Sequence, residues 1–295
     1  MRQQGMSGWH GVPAGLCRAW PLPTDETCAG IARRLFREAV AQLGLEPAVV
    51  DDATLMASEL AANTLHANAA AHARSAPYPD AEPCQPELWL YLRGVGLGRE
   101  LVCKVFDCYR GWRDGTAPSV SETPPETPAD AVGGRGLQIV HELSGGRWGH
   151  HPTRARLDSW GLRGKAVWFA VPAPLAHARL VDVTGLRSYT FSADVTAARA
   201  SDRLSARQAV RELEAMLDER GFGRGLVRDD QPARDMSILS VRRGLTVWCQ
   251  AGVVSLTTPW GSSQRWNYGD LVEAAEQTVR RYEELDQAQD PLRAP

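Results

Sequence analysis

Glu59 and Asn63 stand four residues apart in the stretch SELAANTLHA, a spacing that puts both side chains on one side of a helix, one turn from each other. A carboxylate there can take the proton of an attacking hydroxyl. A neutral amide oxygen suits a hard cation such as Mg²⁺, which keeps most of its waters and bridges phosphates. The same pair also fits a solvated helix face. Asp107 ends the apolar run LVCKVF, where a strand leaves the core, four residues before Gly111. A strand-end carboxylate can accept from an amino group or close an Asx turn. Gly133, Gly134 and Gly136 directly precede a helix opening near Leu137. Such a turn brings backbone N–H groups and a helix N-terminus to phosphate oxygens, or serves as a hinge.

These residues need elements to position them. Thr24 followed by Asp25 and Glu26 predicts a helix start, and Ile31, Leu35, Ala39 and Leu43 recur at helical spacing before Gly44. A second helix opens after Pro47 with a stripe of Leu55, Met56, Leu60 and Leu65, its other side carrying Glu59 and Asn63. ELWLYLRG and RELVCKVFD, parted by the turn-prone GVGLG, read as an antiparallel hairpin. Residues 111–132 are too rich in Pro, Thr and Ser for regular structure and read as a lid. KAVWFAVP reads as a buried strand stopped by Pro172, and His150 and His151, followed by Pro152, as a turn without metal partners.

The chain has 295 residues, of which 43% are hydrophobic and 23% charged, a globular composition that excludes a natively unfolded protein. A net charge of -2 without a block of like charges gives no signal for nucleic acid. No apolar stretch approaches a membrane span and the first residues lack the apolar core of a signal peptide, so the expected location is the cytoplasm. The six cysteines, scattered without a CxxC pair, read as reduced packing residues. Only Lys104 and Lys165 among the basic residues are lysine. The organisation expected is a disordered tail over 1–15, a first domain over 16–175 and a second α+β domain over 176–295. In that second stretch SARQAVRELEAMLDERG and DLVEAAEQTVRRYEEL read as helices, MSILSVRR, LTVWCQAG and VVSLTTP as strands, and its tryptophans as core.

Taken together, SELAANTLHA, VFDCYRG and GGRGLQIVHEL with WGHH and GKAVWFAV resemble the N box and the two glycine boxes of the GHKL ATPases. That superfamily includes gyrase, heat-shock chaperones and histidine-kinase catalytic domains. Within it the chain is most similar to the stand-alone anti-sigma-factor serine/threonine kinase type. The resemblance covers roughly residues 17–172. It implies a Bergerat-type α/β two-layer sandwich, a histidine kinase-like ATP-binding domain with a mixed sheet and helices on one face, followed here by the smaller α+β domain. It also implies ATP and Mg²⁺ as cofactors. Asn63 would be the Mg²⁺ ligand, Glu59 the catalytic carboxylate that orients or deprotonates the attacking hydroxyl, and Asp107 the acceptor for the adenine amino group. Gly111 would shape the adenine pocket, and Gly134, Arg135, Gly136 and Leu137 would close on the phosphates. The implied function is that of a serine/threonine protein kinase acting on a regulatory partner, a sigma factor or an anti-sigma antagonist, with a homodimer possible. A non-enzymatic ATP-dependent interaction switch is the alternative. The sequence departs from the pattern in two places. The first glycine box keeps Asp107 and Gly111 alone of DxGxG, and Ala166 stands where relatives often carry a hydroxyl.

Overall fold

In the segment ELWLYLR, Leu88, Leu90 and Leu92 alternate with Glu87, Trp89, Tyr91 and Arg93, and this period of two determines which layer each strand face meets. The computed structural model describes residues 17–41, 43–74, 85–94, 96–109, 112, 135–158, 161–174, 204–259 and 261–289. The expected tail, Gly111, Gly134 and, apart from Trp112, the expected lid lie outside them.

The first sheet joins β1 (Cys17–Pro21), β2 (Glu87–Arg93), β3 (Glu100–Asp107), β4 (Trp148–Arg154) and β5 (Arg163–Pro172) in the order β1-β2-β3-β5-β4. Helices α1 (Cys28–Val40), α2 (Pro47–Arg74) and α3 (Gly136–Leu143) carry the residues that cover one face. There Leu88, Leu90, Leu101, Cys103, Val105 and Phe169 meet Phe36, Met56, Leu60 and Val140 in one apolar cluster. The α2 stripe enters this core at Met56 and Leu60, whereas Leu55 is turned outward.

Three expectations about this sheet are corrected. It is antiparallel in every pairing rather than mixed. The crossover through α3 does run β4 in the same direction as β3, but β5 inserts between them, so no parallel pair forms. Nor is only one face covered by helices. The opposite face, with Trp89, Tyr91, Val102 and Phe106, shares a second apolar cluster with residues 206–285. His150 and His151, expected in a turn, lie in β4, where edge pairing to β5 holds the backbone extended.

The C-terminal stretch forms a second antiparallel sheet, β10-β9-β8-β7-β6. Its strands are β6 (Val227–Gln231), β7 (Met236–Arg242), β8 (Leu245–Gln250), β9 (Val253–Thr257) and β10 (Ser263–Asn267). Helix α4 (Ala206–Asp218) starts on a capping box between Ser205 and Gln208. Helix α5 (Leu271–Gln289) ends the described chain. Phe222 and Tyr268 are core, but Trp248, expected there too, is 38% exposed on the outer face of β8. Among the described residues the architecture is therefore α+β, with two antiparallel sheets and five helices, and no helix is long and apolar enough to cross a membrane.

Helix α5 lies between the two sheets with both sides buried. Leu271, Ala275 and Val279 join the apolar cluster, whereas Glu273, Glu276 and Glu283 form an acidic stripe at helical spacing. Glu273 accepts from the Tyr91 hydroxyl at 2.5 Å, and Glu283 from Arg154 at 2.6 Å. Glu276, fully buried, binds Lys104 of β3 at 3.1 Å, Arg156 after β4 at 2.6 Å and Arg220 after α4 at 2.5 Å. Burial by itself would raise its carboxyl, but Arg220, Lys104 and Arg156 outweigh that and hold it well below the ordinary range. Lys104 has donors only, so the 3.2 Å contact to His151 Nε2 makes that nitrogen the acceptor and leaves Nδ1–H to donate to the Pro152 carbonyl at 3.0 Å. Burial, reinforced by Lys104, pushes this imidazole well below its ordinary 6.5.

Glu276→Ala leaves three buried cations without their shared carboxylate and is expected to cost about 3–5 kcal/mol in urea unfolding, against about 0.5 kcal/mol for Glu284→Ala on the helix surface. Because His151 and Glu276 both titrate lower folded than unfolded, the unfolded chain takes up their protons first on acidification. Stability should decline as pH falls below 6.5 and more steeply below 4.5, and His151→Gln should flatten the upper part of that curve in chemical denaturation at several pH values.

Candidate functional site

Strand alternation sorts the candidates before any contact is considered. Val105 and Cys103 face α1 and α2, so Asp107, two residues further along β3, shares that side, and Lys165, its register partner on β5, shares it too. Glu59 and Asn63 are half-buried in α2, the helix that covers this side.

The structure brings Glu59, Asn63 and Gly136 together. A Cβ built on Gly136 would lie 3.0 Å from Glu59 Oε2 and 3.1 Å from Asn63 Nδ2, so the glycine lets the α3 backbone approach both groups without displacing them by a few tenths of an ångström. α3 opens at this point. Its first internal bond runs from the Ile139 N–H to the Arg135 carbonyl at 3.0 Å, so Gly136, Leu137 and Gln138 supply first-turn donors. The Arg135 side chain does not cap them. A carboxylate, an amide and a helix N-terminus therefore meet at one point, an arrangement that suits a hydrated cation and an anionic group side by side. Among the described residues no three His, Cys, Asp or Glu side chains cluster as a metal cage, so a cation here would complete its shell from water and from its ligand.

Asp107 is 2% exposed, and each of its oxygens accepts a hydrogen bond. Its Oδ1 accepts from the Tyr109 N–H at 2.9 Å, which is the Asx-turn geometry, and its Oδ2 accepts from Lys165 Nζ at 2.7 Å. Burial raises the Asp107 carboxyl and lowers the Lys165 ammonium, while each charge opposes the shift of the other. Lys165 also donates to the Tyr109 carbonyl and lies 5.2 Å from the Tyr109 ring centroid and 5.3 Å from that of Trp112. Trp112 in turn meets the His150 imidazole edge-on at 4.7 Å. Gly164, next to Lys165, admits the β3 backbone closely, since a Cβ there would fall 2.2 Å from the Asp107 carbonyl.

Of the residues expected at the site, Glu59, Asn63, Asp107, Arg135, Gly136 and Leu137 are described, and Gly111 and Gly134 are not. Sequence reasoning missed Lys165, Tyr109, Trp112 and His150. The one available signal was that Lys165 is one of two lysines in an arginine-rich chain. The reading of the cysteines as reduced holds for buried Cys17, Cys28, Cys103 and Cys249 and is corrected at Cys108, which is disulfide-bonded beside Asp107. Its sulfur is one residue past the strand end, where the chain turns out of the core.

A double-mutant cycle tests the buried pair. Asp107→Asn and Lys165→Met should each destabilise by about 2–4 kcal/mol, and the double variant by about 1–3 kcal/mol less than their sum. Strict additivity in urea titrations would mean that the pair does not act as a unit. Compared with models of protein families and with curated proteins, the chain matches none.

Proposed function

We propose that this chain is a Mg·ATP-binding regulatory protein that acts as a serine/threonine protein kinase of the anti-sigma-factor type. The observation that carries the reading is the convergence of Glu59, Asn63 and the Gly136 helix start within about one atom's contact of one another. The residues fit the group in two respects. The gap that a Cβ on Gly136 would fill lies between a carboxylate and an amide, and the donor set, one amide with one carboxylate, is that of a cation that retains its waters. Bound Mg·ATP supplies the transferable phosphoryl group and the metal charge that makes its departure possible.

In this reading Asn63 holds the cation through its amide oxygen, and the Gly136 and Leu137 N–H groups bind phosphate oxygens at the positive end of α3. Glu59 receives the proton of the attacking serine or threonine hydroxyl and holds that hydroxyl in line, so that positioning and electrostatics do most of the catalytic work. Asp107 accepts from the adenine amino group. A carboxylate has about four lone-pair sites, and Tyr109 and Lys165 use two, so acceptor capacity remains. The partner that receives the phosphoryl group is a regulatory protein.

A second reading, a nucleotide-dependent interaction switch without transfer, is favoured by the ion pair that already engages Asp107. Calorimetric titration with ATP, with and without Mg²⁺, separates them when paired with γ-labelled ATP and cell extract. The kinase reading expects Mg²⁺-dependent binding that Asn63→Ala weakens about tenfold or more, and label transfer that Glu59→Gln lowers about 10²- to 10⁴-fold with binding retained. Binding without transfer in the unaltered protein supports the switch. Absence of binding overturns both.

A further inference from the structure

Both lysines of the chain are buried against a carboxylate, but they differ in what surrounds them. Lys104 faces α5 and is enclosed by Glu276, His151 and the Tyr91 ring. Lys165 faces the α2 side beside Asp107, and its ammonium has three N–H donors. Asp107 Oδ2 takes one and the Tyr109 carbonyl a second. The third has no hydrogen-bond acceptor among the described residues, where only the rings of Tyr109 and Trp112 flank the ammonium. The site therefore presents a charged donor directly beside a carboxylate acceptor, in an aromatic surround that a planar ring can join by stacking.

Resting on the nucleotide reading above, we infer that Lys165 is a base-reading residue, which donates to a ring nitrogen of the purine while Asp107 accepts from the adjacent exocyclic amino group. The adenine edge has this order, with an N6 amino donor next to the N1 acceptor. Guanine carries an N1–H donor where adenine has the N1 acceptor, so it would set that donor against the Lys165 ammonium, which has donors only, and the pair favours adenine.

The test compares ATP, GTP and the ATP analogue in which ring N1 is replaced by C–H, each titrated calorimetrically into the full chain with Mg²⁺. Unaltered protein is expected to bind ATP about tenfold or more tightly than the N1-deleted analogue, since a hydrogen bond from a charged donor is lost and the third N–H of the buried ammonium is left without an acceptor. Lys165→Met should bring that ratio close to one, whereas Lys165→Gln, which keeps an N–H donor, should retain part of it. A merely structural lysine would weaken both ligands equally and leave the ratio unchanged. ATP binding with a ratio near one in the unaltered protein, a ratio that survives Lys165→Met, or tighter ATP binding by that variant overturns the assignment while leaving the nucleotide reading intact. No ATP binding overturns both. Because the first comparison uses the unaltered protein, the inference stays falsifiable even if Lys165→Met does not fold.

Discussion

One buried carboxylate, that of Glu276, sets how the layers of this molecule meet. It joins β3 through Lys104, the chain after β4 through Arg156 and the chain after α4 through Arg220. Removing ions from water costs several kcal/mol each, and attraction in the interior offsets this only where geometry and hydrogen bonding are good. Here the cations have further partners. Arg220 lies over the Trp89 ring at 4.8 Å and donates to the Arg154 carbonyl at 2.7 Å, and Glu87 accepts from the N–H groups of Arg156 and Leu157. An apolar contact would allow α5 to slide along the sheet. A carboxylate held by three cations on three elements has one register, so the network's contribution is placement more than affinity.

That placement bears on the candidate site through the pleat. Along β3, Lys104 reaches the network and Asp107 the opposite side, along β4 His151 contacts Lys104 and His150 meets Trp112, and on β5 Lys165 and Ala166 divide in the same way. One sheet thus serves as the floor of the site and as the wall of the interlayer core. A site whose residues sit on strands braced from behind is held more precisely than one built on loops, because the supporting backbone has no room to relax. At the other edge of the site, α2 packs into the core through Met56, Leu60 and Ala61, which orients Glu59 and Asn63 toward the start of α3.

Much of the first half was legible because local patterns carried the information. The β2–β3 hairpin, the α1 and α2 helices and the helix start near Leu137 each follow from short-range periodicity and turn chemistry, although α1 begins at Cys28 rather than at Thr24 and α2 continues to Arg74, past the Leu65 end of its apolar stripe. β4 was not legible. WGHHPTR has no strand alternation of its own and contains a proline, which an edge strand tolerates once β5 provides the ladder. β6 and β10, VRDDQ and SQRWN, are polar segments that become strands only because neighbouring strands offer unpaired backbone groups. The sheet's parallel or antiparallel character is likewise non-local, since it depends on where β5 inserts.

From residue order alone came the helix that pairs Glu59 with Asn63, the strand that ends at Asp107 and the glycine that opens α3, since spacing and turn preference act over a few residues. The sequence could not specify that Gly136 meets Glu59 and Asn63, that Lys165 occupies Asp107, or that the second stretch covers the back of the first sheet. Those are contacts between residues tens to more than a hundred positions apart. The acidic stripe of α5 makes the point most sharply. Glu273, Glu276 and Glu283 at helical spacing match a solvated face, and only the arrival of cations from β3, β4 and the chain after α4 turns that face inward. Charge burial is decided by partners, and partners are supplied by tertiary structure.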